Sequence, residues 1–268
     1  MKSQNLQLAK KIRKQLTLDD DNHVLRERFV EEITAYKFKN PNLLHQAFTH
    51  GSFQHCASND RLEYLGDSVL NQLIAKEHYF AYPDLDSGGL TDLRRNNVDT
   101  EKLARVAIKY NLHDFLRHTM PMPLFKGQVE EFRDATLEYP LHSAGRIDPP
   151  KVLADIVESL IGAIYIDSNF SMDTTWQAVK DLLQPLITPA TLEIHPFTKF
   201  NELCQKKRLR VKYVDDLWEK TGEIEVFVDG KFVAKGKFSG KKEIALNRAA
   251  YNAYYQVVKN LSVEVTIE

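Results

Sequence analysis

The chain has 268 residues, of which 43% are hydrophobic and 27% charged, and its net charge is −1. This composition is typical of a globular protein with a buried core, built as one large domain or as a medium domain plus a small one. No stretch approaches the about 18 consecutive apolar residues of a membrane span, and the N-terminal stretch lacks the apolar run of a secretory signal. Cys56 and Cys204 fit no zinc spacing and are typical of reduced thiols. We therefore expect an intracellular protein with no membrane partner.

The charge is distributed unevenly along the chain. Residues 195–268 hold 14 Lys+Arg against 10 Asp+Glu, a net charge of +4, whereas the rest holds 22 against 27, a net charge of −5. An acidic larger part followed by a basic smaller part is compatible with an enzyme that carries a polyanion-binding module. The indication is weak by itself, because differences of this size are common between neighbouring domains.

The first part of the chain is predicted to be helical. After an N-terminal extension, residues 1–24, apolar residues recur at helical spacing and predict an all-helical domain over residues 25–188. Pro149-Pro150 predicts the start of a helix with an apolar face formed by Leu153, Ile156, Val157, Leu160, Ile161 and Ile164. The preceding residues 119–148 are rich in proline, glycine and charge, which predicts a long loop or a loosely packed insertion.

The second part, residues 189–268, follows a proline-rich break and has a different pattern. A helical run over residues 198–208 precedes three short alternating runs that predict strands: Leu209–Val214, Ile224–Val228 and Phe232–Phe238. Asp229-Gly230-Lys231 predicts a hairpin between the last two, and Ile244–Lys259 predicts a final helix. The order α-β-β-β-α predicts a small α+β domain.

Four acids have the spacing of a metal site. Glu63 and Asp67, at i and i+4, leave the same face of a helix, and Asp155 and Glu158 stand at i and i+3 on another. Burying such like charges is costly unless a cation lies between them. Oxygen ligands from two helices favour Mg²⁺, which can lower the pKa of a bound water and stabilise charge on a phosphate.

Helix capping is the alternative explanation for these acids. Asp155 and Glu158 follow prolines, so they could simply favour the positive end of a helix dipole. Asp67 follows Gly66 and could be a turn or cap residue. Spacing alone leaves both explanations open.

Four stretches, in order along residues 28–187, resemble the ribonuclease III family. Asp60–Leu70 (DRLEYLGDSVL) resembles the family signature ERLEFLGDSVL, and Lys151–Tyr165 (KVLADIVESLIGAIY) resembles its second acidic helix, KxLADxxEALIGAIY. Phe48–Phe53 (FTHGSF) resembles LTHxSY, and Leu90–Arg94 (LTDLR) resembles LTxLR. The long segment 119–148 and the stretch at 99–105 look more like plant ribonuclease-three-like proteins than bacterial ones.

The resemblance implies that Glu63, Asp67, Asp155 and Glu158 are both the catalytic acids and the metal ligands, with Mg²⁺ as cofactor and Mn²⁺ able to substitute. It further implies hydrolysis of double-stranded RNA that leaves a 5′-phosphate, a 3′-hydroxyl and a short 3′ overhang. A single catalytic domain implies a homodimer formed through that domain. Apolar residues around Leu65, Leu70 and Ile161 exceed what one small core needs, which favours the same assembly.

Two positions depart from the family pattern. Asp60 replaces the usual glutamate of the signature, and Gly88-Gly89 stands where bacterial members often have an acid. The resemblance implies that both positions serve the dimer interface or RNA alignment, so the departures concern cutting precision or dimer strength and leave the metal ligands intact.

The C-terminal part resembles a double-stranded RNA-binding domain. Phe200–Lys206 (FNELCQK) is similar to its first helix, where Glu202 matches the position that reads 2′-hydroxyls in the minor groove. Lys241 and Lys242, with Arg248 further along, match the start of its last helix, where such residues meet phosphates. The GPxH loop and one lysine of the usual KKxAK motif are absent, so weaker RNA binding is expected, or a module kept for packing or protein contacts.

Two rival functions belong to other classes: a non-catalytic RNA-binding protein that kept the fold, and a module that regulates a partner through the same dimer surface. Relatives of the first kind lose the four acids, which this chain retains. The second rival, a module that regulates a partner, is tested by whether the pure protein cuts a duplex alone. The plant-like features place the protein in the nucleus or cytoplasm and suggest processing of ribosomal RNA or of small-RNA precursors.

Overall fold

The computed structural model describes residues 22–53 and 56–265. Residues 1–21 of the expected N-terminal extension therefore lie outside the described part. The chain divides into two compact units. The first comprises the chain up to Leu137 together with Pro149–Leu192, and the second comprises Glu138–Asp148 together with the chain from Glu193 onward.

In the described residues of the first unit, the regular elements are all helices, and a single isolated bridge joins Thr49 and Arg117. In chain order its elements are α1 (Asn22–Thr34), α2 (Pro41–Ala47), α3 (Asp60–Ala81), α4 (Ser87–Val98), α5 (Thr100–Lys109), a 3₁₀ turn (Leu112–Phe115), α6 (Met122–Glu138), α7 (Lys151–Asp167) and α8 (Met172–Val179). α7 is buried on almost every side and packs against α2, α3 and α5. Its long apolar face therefore forms the centre of the core, as the helical spacing predicted.

The segment expected to be a loop, 119–148, is mostly helical. α6 fills residues 122–138 because Phe125, Val129 and Phe132 recur at helical spacing and are all buried. Proline at position 123 is tolerated because it lies in the first turn, where its missing N–H has no intrahelical partner to lose. The loop prediction was wrong because proline, glycine and charge dominate the composition of this segment, whereas three buried anchors are enough to hold the helix.

The second unit is an α+β module. Its elements are α9 (Pro196–Lys207), β1 (Val211–Val214), α10 (Trp218–Thr221), β2 (Glu223–Val228), β3 (Lys231–Lys237) and α11 (Lys242–Val265). The strands form an antiparallel sheet in the order β1-β2-β3. Except for the short added helix α10, this confirms the predicted order α-β-β-β-α, and with the helical first unit it confirms the predicted fold class.

Two local features make this module compact. Asp229 and Gly230, with φ of 48° and 78°, form the predicted hairpin turn between β2 and β3. Gly236 lets β3 approach α11 closely, because a Cβ there would lie 2.2 Å from the backbone nitrogen of Ala249. The buried side of β2, formed by Ile224, Val226 and Val228, then packs against Ala245, Ala249, Ala250 and Ala253 of α11.

Residues 138–148 belong to this second unit although they lie between α6 and α7 in sequence. Arg146 is only 4% exposed, and its guanidinium lies between the rings of Tyr139 and Tyr251, 4.5 and 4.2 Å from their centres. It also pairs with Glu193 at 2.7 Å. The aromatic faces and the carboxylate compensate for the burial of the charge.

Candidate active site

The site begins with a close crossing of α3 and α7. An added Cβ at Gly66 would lie 1.8 Å from the carbonyl oxygen of Glu158, and one at Gly162 would lie 2.3 Å from that of Leu62. Only glycine allows two helix backbones to approach this closely. The crossing therefore places the acids of α3 directly against those of α7.

Three of the four predicted acids meet at this crossing. Oxygen atoms of Glu63, Asp155 and Glu158 all lie within 4.8 Å of one another. Asp155 is buried, and the other two are partly buried. Asp67 lies outside this group of three and is exposed, but its charge still acts on Glu158.

The positions at which the helices begin exclude capping as the explanation for three of the acids. α7 begins at Lys151 and has no acid in its first turn, so Asp155 and Glu158 are beyond the reach of a cap. Gly66 and Asp67 lie inside α3 and form no turn. Capping explains none of these three acids, and a shared site remains as the explanation.

Lys151 lies inside the cluster and was not singled out from the sequence. Its Nζ donates to Glu63 Oε1 and to Asp155 Oδ1, each at 2.6 Å. Burial acts to lower the pKa of Lys151, but the hydrogen bonds to Asp155 and Glu63 outweigh it and hold the pKa above its ordinary value. Its position four residues before Asp155, at i and i+4 on one helix face, was the available signal.

Lys151 leaves the acids incompletely neutralised. Burial first, then the charges of Asp67, Asp155 and Glu63, raise the pKa of Glu158 to about 7. Burial also raises the pKa of Asp155, against the opposing hydrogen bond from Lys151. Burial and the repulsion between neighbouring carboxylates therefore both disfavour the charged form of this cluster.

A divalent cation fits this donor set. The residues offer only carboxylate oxygens at the point of closest approach, which are the ligands that Mg²⁺ and Mn²⁺ accept. The ammonium group of Lys151 already bridges two of the carboxylates as a stand-in cation. Glu63, Asp155 and Glu158 would hold the metal, with Asp67 beside them.

The predicted RNA-binding residues lie on the second unit. Glu202 is exposed on α9, and Lys241 and Lys242 are exposed at the start of α11. Each lysine is already paired with an acid: Lys241 with Asp148 at 2.7 Å, and Lys242 with Asp215. Both pairs are solvent-accessible, so phosphate can replace the acid at small cost.

Arg248 has mainly structural contacts. It is half-buried, its Nε donates to the carbonyl of Arg146 at 2.8 Å, and its Nη1 donates to that of Lys237 at 3.0 Å. Its guanidinium also lies 5.0 Å from the centre of the Phe238 ring. A phosphate contact from Arg248 would have to use the N–H groups that these two bonds leave, one on Nη1 and two on Nη2.

Among the helices of residues 22–265 that the structure describes, none is long and apolar enough to cross a bilayer.

Comparison with known proteins identifies the class. Residues 60–169 match the family model of the ribonuclease III domain, which covers both acidic helices. The chain is 46% identical over 241 residues to Ribonuclease 3-like protein 3 of Oryza sativa subsp. japonica, covering 88% of this chain and 80% of that protein. It is 38% identical over 232 residues to Ribonuclease 3-like protein 2 of the same plant, covering 84% and 72%.

A longer relative shares the same region. The chain is 38% identical over 232 residues to Endoribonuclease Dicer homolog 1 of Arabidopsis thaliana, covering 84% of this chain but 12% of that protein. The helical unit is thus a ribonuclease domain, and the chain as a whole is an endoribonuclease specific for double-stranded RNA. The chain belongs to the ribonuclease III family, which confirms the family inferred from the sequence, including its likeness to plant ribonuclease-three-like proteins.

Proposed function

We propose that this protein hydrolyses phosphodiester bonds of double-stranded RNA with Mg²⁺, or Mn²⁺ in its place, and leaves a 5′-phosphate and a 3′-hydroxyl with a short 3′ overhang. The observation that carries the proposal is the convergence of Glu63, Asp155 and Glu158 within 4.8 Å, with Asp67 adjacent. The retained acids argue against a non-catalytic RNA-binding role.

The chain's own residues account for the electrostatics of the step. A bound divalent cation supplies charge neutralisation at the phosphate and lowers the pKa of a water. Glu158, with a pKa of about 7, is suited to exchange a proton near neutral pH. Lys151 remains 68% exposed while it holds Glu63 and Asp155, so its charge also faces an incoming phosphate.

The test of this chemistry is cleavage of an end-labelled duplex by the pure protein, mapped at nucleotide resolution. Cleavage that requires Mg²⁺, stops with chelator and leaves a short 3′ overhang supports the proposal. Binding of the duplex without cleavage in either Mg²⁺ or Mn²⁺ would instead identify a non-catalytic RNA-binding protein. Cleavage only with an added partner protein would favour a regulatory module.

We also propose a homodimer formed through the catalytic unit, so that two acid clusters serve the two strands of a duplex. The apolar residues Leu70 and Ile161, expected to contribute to a partner surface, are 0% exposed and belong to the unit's own core. The surface position chosen for the test is Tyr64, whose aromatic side chain is 80% exposed next to Glu63 on α3.

Sedimentation tests the assembly directly. The wild-type mass should be near twice 30.9 kDa, and Tyr64→Arg should shift it toward the monomer because it places a charge on the exposed aromatic position. A wild-type monomer that cuts both strands together would overturn the paired-site arrangement. Localisation in nucleus or cytoplasm, and action on ribosomal or small-RNA precursors, are proposed from the likeness to plant relatives.

A further inference from the structure

Asp67, the acid that stands apart from the other three, is supported by a hydrogen-bonded chain of two side chains, Asn71 and Arg94. Asn71 Nδ2 donates to Asp67 Oδ1 at 2.8 Å and to the Asp67 carbonyl oxygen at 3.0 Å. Arg94 Nη1 in turn donates to Asn71 Oδ1 at 2.6 Å. Asp67 and Asn71 are one turn apart on α3, and Arg94 comes from the adjacent helix α4.

This arrangement restrains an otherwise free carboxylate. Asp67 is exposed, and within the described part of the chain no Lys or Arg side chain forms an ion pair with it. Its Oδ1 is occupied by the amide of Asn71, which leaves Oδ2 as an acceptor. The bond to Oδ1 therefore restrains the rotation of the carboxylate before any ligand arrives.

The chemical identity of the intermediary also matters. A guanidinium bound directly to Asp67 would cancel the negative charge that a cation requires. The neutral amide of Asn71 is oriented by Arg94 and in turn orients Asp67. It also keeps the positive charge of Arg94 one side chain away from the Asp67 carboxylate. Polarisation of the amide by Arg94 also strengthens its N–H as a donor.

We infer that Asn71, held by Arg94, is a positioning residue that orients the Asp67 carboxylate toward the divalent cation. The inference rests on the proposed metal-dependent function. Partners of this kind around metal ligands affect metal affinity about 10- to 100-fold, and the lower end suits an exposed carboxylate that is one of four acids.

The experiment compares Asn71→Ala with Lys76→Ala. Lys76 lies on the same helix and forms an exposed pair with Asp173 at 2.9 Å, away from the acids, so its replacement also removes one link between α3 and another helix. Three quantities are measured: Mn²⁺ binding to the RNA-free protein by calorimetry, the Mg²⁺ dependence of single-turnover duplex cleavage, and the melting temperature without metal.

Asn71→Ala should weaken Mn²⁺ binding about tenfold and raise the Mg²⁺ concentration for half-maximal cleavage by a similar factor. The maximal rate at saturating Mg²⁺ should change little, because the metal then orients Asp67 itself. Asn71→Gln, which keeps an amide donor and acceptor, should recover part of the affinity. Arg94→Ala should show a smaller loss than Asn71→Ala, and Lys76→Ala should leave metal binding unchanged.

Two outcomes overturn the inference and are separable from failure of the proposed function. If Asn71→Ala lowers the melting temperature but leaves both metal curves unchanged, Asn71 is merely structural. If it lowers the maximal rate without changing metal affinity, it acts on RNA and not on the cation. A wild-type protein that neither binds Mn²⁺ nor needs Mg²⁺ to cut would refute the proposed function itself.

Discussion

The two charged regions of this protein compensate their charges in different surroundings. In the catalytic unit Lys151 lies between Glu63 and Asp155, and both carboxylates are largely withdrawn from solvent. In the second unit Asp148 and Asp215 each pair with one lysine, and both lysine side chains are more than half exposed. Pairing a lysine with an acid should therefore affect the pKa of the acid differently in the two regions.

The difference is visible in the pKa values. In the buried cluster one lysine does not offset the desolvation of the acids, and the pKa of Glu158 rises to about 7. In the exposed pair the hydrogen bond from Lys242 lowers the pKa of Asp215. In the first region the ionised carboxylates are disfavoured, and a bound cation would stabilise them. In the second region each acid already has a lysine partner, so a phosphate must replace that acid.

The largest expected effect comes from removing a charge at the acid cluster. Glu158→Gln keeps the side-chain volume but loses an anionic oxygen, so cleavage should fall at least about a hundredfold while duplex binding and fold persist. Single-turnover cleavage and a binding assay measure the two quantities. Glu77→Gln, at a partly buried position of α3 outside the acid cluster, is the matched control and should cut normally. Near-normal cleavage by Glu158→Gln would remove this acid from the mechanism.

The next effect tests the helix crossing that assembles the cluster. Gly66→Ala places a methyl group where only 1.8 Å is available to a backbone oxygen, so α3 and α7 must separate. We expect the unfolding free energy to fall by about 3 kcal/mol or more. Gly127→Ala is the control, since an added Cβ there has nothing within 4 Å on helix α6. It should raise stability by about 0.5–1 kcal/mol, and denaturant melts of the two variants should therefore move in opposite directions.

A smaller effect concerns pH. The pKa of Glu158 is about 7 in the folded protein, above its ordinary value of 4.5, so the folded state holds this proton more tightly than the unfolded state. The resulting stability is fully present below about pH 4.5 and is lost as pH rises through about 7. Metal-free melting temperatures should show this decline, and Glu158→Gln should flatten it.

Metal binding should show the opposite pH dependence, because a cation requires the ionised carboxylate. Mn²⁺ affinity of the RNA-free protein should increase between about pH 6 and pH 8 as Glu158 loses its proton. An affinity that stays constant over this range would show that Glu158 is either already ionised or not a ligand.

The sequence made the acids predictable but not their supporting residues. Glu63 with Asp67, and Asp155 with Glu158, have helical spacings that show which side chains share a face. The roles of Lys151, Asn71 and Arg94 depend on which helices become neighbours, which periodicity within one helix does not reveal. The close approach at Gly66 and Gly162 likewise needs two helices at once.

Long-range packing also explains what was missed elsewhere. The hairpin at Asp229-Gly230 was predictable because its signal is local. The assignment of residues 138–148 to the second unit was not, because it depends on Arg146 meeting Tyr251, which is far away in sequence. For the same reason Arg248 looked like a phosphate ligand although Arg146 and Lys237 engage it.

A modest effect is expected from the lysines at the start of α11. Replacing both Lys241 and Lys242 by alanine should weaken duplex binding and flatten its salt dependence, by about one unit of slope for each phosphate that is no longer bound. The turnover of bound RNA should change little, because the acids lie in the other unit. Binding across a salt series and single-turnover cleavage at saturating protein measure the two effects. An unchanged slope would mean that neither lysine touches phosphate.

The smallest expected effect comes from removing the acid that pairs with Lys241. It is also the most direct test of the difference between the two charged regions. Asp148→Asn removes the partner that lies 2.7 Å from Lys241 Nζ, in a pair exposed enough that its removal should cost the fold little. If phosphate and Asp148 compete for the same ammonium group, duplex affinity should rise about two- to fivefold, the range that an exposed ion pair of up to about 1 kcal/mol allows.

Asp216→Asn is the matched control, because it removes the same charge from an exposed position of the same unit. Both variants are measured with the cleavage-deficient Glu158→Gln background, so that binding is read without turnover. If only Asp148→Asn raises the duplex affinity, phosphate and Asp148 compete for Lys241. If both variants raise it equally, the gain comes from the change in net charge alone.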